Sequence, residues 1–221
     1  MNKSLILLSG GLDSLVCLGV SKDEYNVELA ITFDYGQKSV NKEIQASKEI
    51  CQYYHINHRV IKLDWLKDIT QNALVENDTL PIGIDNPEQS VKAVWVPNRN
   101  GLFLNIAASF ADSDNYTHII IGANKEEAAT FPDNTKEFIY CVNSEFEYST
   151  FVKPKVVAPL INCTKNDIVR MALDRDIPLG MVQSCYDSTI NHCGKCESCT
   201  RLKNALLYNK AYKYIKTLFK E

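Results

Sequence analysis

The sequence lacks long apolar runs and a surplus of basic residues, and each absence excludes a class of protein. No apolar stretch in the 221 residues approaches the roughly 18 that a membrane-spanning helix needs. The first apolar run ends at Ser9, too early for the core of a signal peptide. The chain has 24 basic and 27 acidic residues and a net charge of −3, whereas nucleic-acid-binding domains are usually basic. We therefore expect a cytoplasmic globular protein with neither a nucleic acid nor a membrane as its partner.

Cysteine is too sparse for a disulfide-stabilised scaffold, with 8 in 221 residues. Four of the cysteines are scattered through apolar surroundings, which is typical of small buried side chains. The other four fall between residues 185 and 199. In a reducing compartment, clustered cysteines are more often metal ligands than disulfides.

The pattern of apolar residues predicts strands that alternate with helices. Leu5–Leu8 is a continuous apolar run, typical of a strand buried on both faces of a sheet. Further strands are predicted at 29–33, 60–63, 118–123 and 156–160, and helices at 13–20, 38–54, 101–111 and from 164 onward. This alternation favours an α/β fold with a mostly parallel, twisted sheet and helices on both faces.

Polar segments follow four of the predicted strands, at 9–14, 34–37, 122–133 and 161–165. The carboxyl ends of parallel strands meet at one edge of a sheet, where such folds bind their ligands. We therefore expect these four segments to converge on one site. A longer polar segment with three prolines, 76–98, is predicted to be a loop or lid.

Charge divides the chain into two parts. Residues 1–175 hold 17 basic and 23 acidic residues, whereas 176–221 hold seven and four. We assign 1–175 to the α/β domain and 176–221 to a cysteine-bearing C-terminal module packed on it. Within that module, residues 200–220 carry six basic residues and no acidic one, the pattern of a solvated, basic amphipathic helix.

The hexapeptide Ser9-Gly10-Gly11-Leu12-Asp13-Ser14 lies directly after a buried strand and opens a helix. Its glycines let the backbone approach an anion closely, and the helix N-terminus supplies partial positive charge. It is neither a GxGxxG nor a Walker A motif, because the lysine of the latter is missing. The sequence therefore predicts a phosphate-binding loop of another kind.

Two further motifs carry candidate chemistry. At the end of the second strand, Phe33-Asp34-Tyr35-Gly36-Gln37 offers groups that could bind a purine ring, although an ordinary turn has the same composition. Near the C-terminus, the pattern Cys185-x7-Cys193-x2-Cys196-x2-Cys199 predicts a closed tetrahedral zinc site of structural type. Replacement of one ligand by His192, an iron–sulfur cluster and free thiols remain alternatives.

The hexapeptide resembles the pyrophosphate loop of the ATP pyrophosphatase superfamily, and the whole chain resembles the 7-cyano-7-deazaguanine synthases of the queuosine pathway. The similar stretches follow the family's order from one end of the chain to the other. They are SGGLDS at 9–14, FDYGQ at 33–37, VPNRN at 96–100, FPD at 131–133, PLINCTKNDI at 159–168, and SCY followed by CGKCESC within 184–199.

This resemblance implies an adenine nucleotide alpha hydrolase-like fold, a homodimer, structural Zn²⁺, and ATP with Mg²⁺. It also implies a ligase that adenylates 7-carboxy-7-deazaguanine, adds ammonia, and adenylates the resulting amide to form the nitrile. The implied ATP-binding residues are Leu8, Ser9, Gly10, Gly11, Leu12, Asp13, Ser14 and Asp34. The implied substrate-binding residues are Tyr35, Gln37, Arg99, Asn100, Glu127 and Asp133, and the implied catalytic residues are Asp13, Ser14, Arg99 and Lys165.

The chain departs from the family pattern around the expected substrate loop. Glu127 replaces an aspartate, Phe131 a tyrosine, Asn134 a cysteine and Thr135 an arginine, and the stretch 147–153 lacks a Thr-Lys pair. These differences leave open that the activated deazaguanine is transferred to another amine, such as a protein N-terminus in an antiviral system. A tRNA-modifying ATP pyrophosphatase and a non-catalytic nucleotide-binding subunit are further alternatives.

Overall fold

The structure, a computed structural model, describes residues 3–70, 72, 74–75, 94–186 and 191–219. Most of the predicted loop or lid at 76–98 lies outside the described residues. The described part contains a parallel sheet with the strand order β3-β2-β1-β4-β5, as an α/β fold requires. Its strands are Ser4–Leu7 (β1), Val27–Asp34 (β2), Asn57–Lys62 (β3), His118–Ile120 (β4) and Lys155–Val157 (β5).

Helices connect the strands and form the C-terminal part of the chain. They are Leu12–Ser21 (α1), Val40–Tyr54 (α2), Asp64–Asp68 (α3), Arg99–Asp114 (α4), Lys125–Ala128 (α5), Lys136–Ser149 (α6), Lys165–Asp174 (α7), Glu197–Tyr208 (α8) and Tyr212–Leu218 (α9). Short 3₁₀ turns lie at Pro132–Asn134 and Leu179–Met181. No helix in the described ranges is both long and apolar enough to cross a membrane.

Successive side chains of β1 point to opposite faces of the sheet, and all of them are buried. Both faces of the sheet are therefore covered. Ile6 packs into a core with residues of α1, α7 and α8. Leu5 and Leu7 pack into a second core with residues of α4 and α6. The predicted arrangement of helices on both faces of a mostly parallel sheet is therefore confirmed.

The strand order places a crevice between β1 and β4. The chain runs outward from β1 to β2 and β3, then returns to form β4 on the other side of β1. The loops that follow β1 and β4 therefore separate at this point, which is where such sheets bind ligands. Gly122, just after β4, lies so close to α1 that a Cβ atom there would be 3.1 Å from the Ser14 nitrogen.

Local patterns explain where the structure agrees with the sequence and where it differs. The helix predicted from 164 onward begins with a capping box, in which Thr164 and Asp167 each accept a hydrogen bond from the backbone nitrogen of the other. β5 ends at Val157, two residues before Pro159, which has no backbone N–H for a sheet hydrogen bond. α6 is a helix that the expected elements do not include, although Val142 and Phe146 are buried there one turn apart.

The C-terminal segment shares a core with the α/β sheet. Ile177, Leu202 and Leu206 are buried in the same cluster as Ile6. The predicted basic amphipathic helix is divided between α8 and α9 at Lys210, which has a φ of 56°. The division of the chain at residue 175 stays a prediction.

Candidate active site

The loop between β1 and α1 has the shape expected of an anion-binding turn. Gly10 has a φ of 75°, and a Cβ atom at this position would be 2.9 Å from the Ala46 Cβ. The Ser14 hydroxyl donates to the Gly11 carbonyl at 3.1 Å and lies 3.2 Å from the Ser9 hydroxyl. These contacts fix the loop against the N-terminus of α1, where backbone N–H groups favour a bound anion.

This loop forms one side of a cleft with a volume of about 300 Å³. All four predicted polar segments reach this region, so their expected convergence is confirmed. The residues proposed from the sequence that line the cleft are Leu8, Ser9, Gly11, Leu12, Asp13, Ser14, Tyr35, Gln37, Arg99, Asn100, Glu127, Asp133 and Lys165. Gly10 and Asp34 are not among the lining residues. Gly10 shapes the turn, and Asp34 accepts a hydrogen bond from the Gly36 nitrogen at 3.2 Å.

Lys165 lies between two carboxylates in this cleft. Its Nζ atom is 2.6 Å from Asp13 Oδ2 and 3.1 Å from Glu127 Oε1. Burial alone would lower the pKa of Lys165, but the two negative charges outweigh burial and raise this pKa above its usual value. The same lysine outweighs the effect of burial on Glu127 and lowers the pKa of that carboxyl group. Lys165 therefore stays charged throughout the neutral pH range.

The second oxygen of Asp13 is buried and has no hydrogen-bond partner within the described part of the chain. Burial raises the pKa of Asp13, and the charge of Lys165 offsets this only in part. Among the described residues, no hydrogen-bond donor reaches Asp13 Oδ1. A buried carboxylate oxygen without a partner is costly, so this atom can accept a cation or a donor group of a ligand.

Arg99 provides a second positive group, at the first turn of α4. Burial would lower the pKa of Arg99, but its interactions with Tyr35 and Asp133 outweigh burial and raise it. Asp133 accepts hydrogen bonds from the Asn100 backbone at 3.4 Å and from the Asn134 side chain at 3.0 Å. A carboxylate has about four acceptor sites, so Asp133 can still accept N–H groups of a ligand.

The amide group of Gln37 holds the loop after β2. Its Nε2 atom donates to the Phe33 carbonyl at 3.0 Å and to Glu43 at 2.9 Å, and its Oε1 atom accepts from the Tyr35 nitrogen at 3.0 Å. The protein therefore uses this side chain internally, so that Tyr35 is held in the wall of the cleft. A direct contact of Gln37 with substrate stays a prediction.

Several residues that line the cleft come from other elements and carry no signal that predicts them from the sequence. Glu43 of α2 and Arg201 of α8 line the cleft but belong to helices whose patterns suggest only solvated faces. The Glu126 side chain accepts a hydrogen bond from the backbone nitrogen of Lys165 at 2.6 Å and so fixes the start of α7. Asn124 is recognisable from the sequence, because asparagine is a preferred residue at the N-cap of a helix. Its side chain accepts hydrogen bonds from the backbone nitrogens of Glu126 and Glu127 at the start of α5.

The C-terminal segment also contacts the phosphate-binding loop directly. The Leu12 nitrogen donates to the Ser184 hydroxyl at 3.3 Å, and the Gln183 nitrogen donates to the Gly10 carbonyl at 2.8 Å. The Ser184 nitrogen in turn donates to His192 Nε2 at 3.1 Å. This support of the loop by distant residues has no counterpart in the sequence pattern.

The four clustered cysteines come together as a metal-binding site. Each of Cys185, Cys193, Cys196 and Cys199 offers one sulfur atom, and all four atoms lie within 4.8 Å of one another. The sulfur atoms of Cys193 and Cys199 are 3.9 Å apart. Four sulfur ligands in a tetrahedron around one zinc ion would lie about 3.8 Å apart. His192 accepts a hydrogen bond from the Ser184 backbone nitrogen and is not part of this cluster.

Comparison with known proteins identifies the family. A sequence profile described as "Queuosine biosynthesis protein QueC" matches residues 3–210. The chain belongs to this family. It is 46% identical over 214 residues to the 7-cyano-7-deazaguanine synthase of Methanosarcina barkeri (strain Fusaro / DSM 804), a match that covers 92% of this chain and 93% of that protein. The corresponding enzyme of Carboxydothermus hydrogenoformans is 46% identical over 211 residues, which cover 93% of this chain and 98% of that protein.

Solved structures resemble the fold at much lower identity. The U34-tRNA thiolase NcsA of Methanococcus maripaludis with its [4Fe-4S] cluster gives a TM-score of 0.51 at 17% identity, over 98% of this chain and 67% of that chain. A 4-thiouridine synthetase in complex with RNA and bound ATP gives a TM-score of 0.52 at 17% identity, over 96% of this chain and 53% of that chain. These likenesses show the shared fold, whereas the QueC-family relatives identify the type of enzyme.

Proposed function

We propose that this QueC-family enzyme converts 7-carboxy-7-deazaguanine and ammonia to 7-cyano-7-deazaguanine with ATP. The observation that carries the proposal is the placement of Lys165 and Asp13 at the phosphate-binding loop, in the same cleft as Arg99 and Asp133. This arrangement supports a nucleotide site next to a site for a flat, carboxylated base. We expect the enzyme to work in the cytoplasm, where ATP and reduced thiols are available.

In the first step, a substrate carboxylate oxygen attacks the α-phosphorus of ATP and pyrophosphate leaves. The Ser9–Ser14 loop holds the β- and γ-phosphates through backbone N–H groups at the start of α1. Lys165 then releases its carboxylate partners and neutralises the charge that develops on the α-phosphate. Arg99 binds the substrate, and its half-buried position strengthens that interaction.

In the following steps, ammonia attacks the acyl carbon and AMP leaves, which gives the primary amide. The amide oxygen then attacks the α-phosphorus of a second ATP, and a second pyrophosphate leaves. Loss of two N–H protons and of AMP forms the carbon–nitrogen triple bond. The acid, the amide and the nitrile share the same ring, so one set of ring contacts can hold all three. Asp133 is suited to this, because it can accept N–H bonds from the amidine edge of the ring.

The residues at the phosphate-binding loop also fit Mg²⁺. This ion is usually bound by one or two carboxylates together with substrate phosphates. Asp13 offers a buried oxygen without a partner, and Glu127 offers a second carboxylate nearby. When bound, the ion supplies charge neutralisation to the leaving pyrophosphate.

The four-cysteine cluster fits a single Zn²⁺ better than an iron–sulfur cluster. In a [4Fe–4S] cluster each cysteine binds its own iron, so the sulfur atoms surround the whole cluster and lie farther apart than around one ion. The spacing here is that of one tetrahedral ion, and all four positions are supplied by protein. The metal therefore has a structural role in this proposal.

Ammonia as the nitrogen donor is inferred from the family resemblance. The same resemblance is the basis for expecting a homodimer. A protein amine as acceptor is not favoured, because relatives at 46% identity over nearly their full length are named as synthases of the nitrile. A tRNA substrate is not favoured for the same reason. Apart from Arg201, which lines the cleft, the basic residues of α8 and α9 are exposed to solvent.

The test is substrate-dependent exchange of radiolabelled pyrophosphate into ATP. Because adenylation is reversible, exchange should appear when 7-carboxy-7-deazaguanine is added without ammonia. Guanine, which has the same amidine edge but no carboxylate, is the matched control and should give no exchange. If exchange is absent with the carboxylate, or equally fast with guanine, the proposed adenylation is wrong.

A further inference from the structure

Two aromatic side chains face each other in the cleft and have no part in the chemistry described above. The rings of Trp95 and Phe131 are nearly parallel, with an interplanar angle of 13° and centroids 6.1 Å apart. Both residues line the cleft and both are half-buried. They come from separate segments, one just before α4 and the other between α5 and the following 3₁₀ turn.

Their separation differs from that of a closed aromatic stack in the same cleft. Phe33 and Phe103 lie face to face with centroids 3.9 Å apart at an angle of 9°, so each covers a face of the other. A flat ring between two others needs about 7 Å, since each contact takes about 3.5 Å. The centroids of Trp95 and Phe131, 6.1 Å apart, are about 1 Å closer than this and about 2 Å farther apart than those of Phe33 and Phe103.

The backbone around each ring is anchored, which fixes where the rings stand. The Trp95 carbonyl accepts a hydrogen bond from the Asn72 side chain at 2.8 Å. The Phe131 nitrogen donates to the Glu127 carbonyl at 2.8 Å, and its carbonyl accepts from the Asn134 nitrogen at 3.1 Å. Because these two stretches of backbone are already held, little backbone freedom is lost when a ligand stacks on the rings.

The neighbouring charge indicates which base the pair would hold. Asp133 follows Phe131 by two residues, and its carboxylate lies against the start of α4. The edge of a deazaguanine carries adjacent N–H donors that suit a carboxylate, whereas the edge of adenine places a ring acceptor beside its amino group. Arg99, four residues after Trp95, can pair with a carboxylate on the same ligand.

We propose that Trp95 and Phe131 form an aromatic clamp that binds the flat bicyclic base of the carboxylate substrate. This proposal rests on the proposed function and extends it to residues that select the substrate. Stacking on aromatic side chains contributes strongly to the binding of bases and tolerates changes in their substituents. The clamp therefore binds the acid, the amide and the nitrile alike, while Asp133 reads the ring edge.

Trp95 makes the clamp visible by fluorescence. The chain has 2 tryptophans, and the other, Trp65, is 51% exposed on α3 and does not line the cleft. In the variant Trp65→Phe, 7-carboxy-7-deazaguanine should quench the emission of Trp95, with and without a non-hydrolysable ATP analogue. The variant Trp95→Phe, titrated in parallel, corrects for absorption by the ligand and should show no further quenching.

Affinity provides a second readout, by calorimetry without turnover. Phe131→Leu keeps an apolar side chain but removes the ring, and it should weaken binding of 7-carboxy-7-deazaguanine by about tenfold. Phe131→Tyr keeps the ring and should bind within about twofold of the wild-type chain. The affinity for the ATP analogue should be unchanged in both variants, which also shows that their fold is intact.

The outcomes separate the two proposals. If the wild-type chain binds no 7-carboxy-7-deazaguanine under either condition, the proposed function itself fails. If it binds the ligand but Trp95 is not quenched and Phe131→Leu binds normally, the clamp alone is wrong. Loss of affinity for the ATP analogue in Phe131→Leu, with substrate binding intact, would assign the aromatic pair to adenine and overturn the clamp.

Discussion

Lys165 is the residue on which the proposed chemistry depends most. It lies 152 positions after Asp13 in the sequence, yet its ammonium group contacts Asp13 and Glu127 together. This contact holds the ammonium group at the position where a phosphate group of ATP would bind. Because the two carboxylates raise the pKa of Lys165, loss of its proton does not limit activity at neutral pH.

Replacing Lys165 with methionine should therefore lower kcat for AMP formation by about 10² to 10³-fold, since a charge aimed at the reacting phosphate is lost. The measurement is the rate of AMP release at saturating ATP. The matched control is Lys125→Met, which removes an exposed lysine from the start of α5 and should leave the rate unchanged. AMP release at the wild-type rate in Lys165→Met would contradict the assigned role.

From the sequence, candidate functional residues are easier to recognise than the residues they contact in the folded chain. The hexapeptide at 9–14 and the cysteine spacing are visible because their chemistry depends on neighbours along the chain. The pairing of Lys165 with Glu127 depends on the meeting of two loops from different strands. The unpartnered oxygen of Asp13 likewise becomes apparent only when all surrounding donors have been placed.

At the scale of elements, long periodic segments were predictable and short ones were not. β1, α1 and α2 follow patterns of apolar residues close to those expected. α5 has four residues and is set by the Asn124 cap, so it has too little length for a periodic signal. α6 does carry such a signal, with Phe138, Val142 and Phe146 each one turn apart, but its exposed residues include several aromatics that obscure it.

The link between the cysteine cluster and the phosphate-binding loop gives an element-scale prediction. The Ser184 hydroxyl accepts a hydrogen bond from the Leu12 nitrogen at the start of α1, and Ser184 directly precedes Cys185, a proposed metal ligand. Loss of the metal should loosen this segment, because metal binding and local folding are coupled. Cys196→Ser should therefore lose its zinc and bind ATP about tenfold more weakly, by elemental analysis and calorimetry.

The control for that experiment is Cys141→Ser, which changes an exposed cysteine on α6 outside the cluster. It should keep both the metal and the affinity for ATP. A folded, metal-free Cys196→Ser protein with wild-type ATP affinity would show that the cluster does not support the loop. Iron in place of zinc in the wild-type protein would contradict the assignment of the metal.

At the scale of the whole molecule, the fold brings together groups that a linear pattern could only suggest. The parallel sheet collects four loops at one edge, and the C-terminal segment adds Arg201 and Ser184 to the same cleft. The departures at Glu127 and Phe131 keep a carboxylate and an aromatic ring in that cleft. These two altered positions are therefore compatible with the chemistry of the QueC family.

The most direct test of the central claim is a time course of products by mass spectrometry, from ATP, 7-carboxy-7-deazaguanine and ammonium. The account predicts that 7-cyano-7-deazaguanine appears as the end product, that the amide is transient, and that two AMP are released for each nitrile. Purified amide supplied with ATP should also become nitrile, with one AMP released. Accumulation of the amide as the end product, or AMP release without any nitrile, would contradict the account.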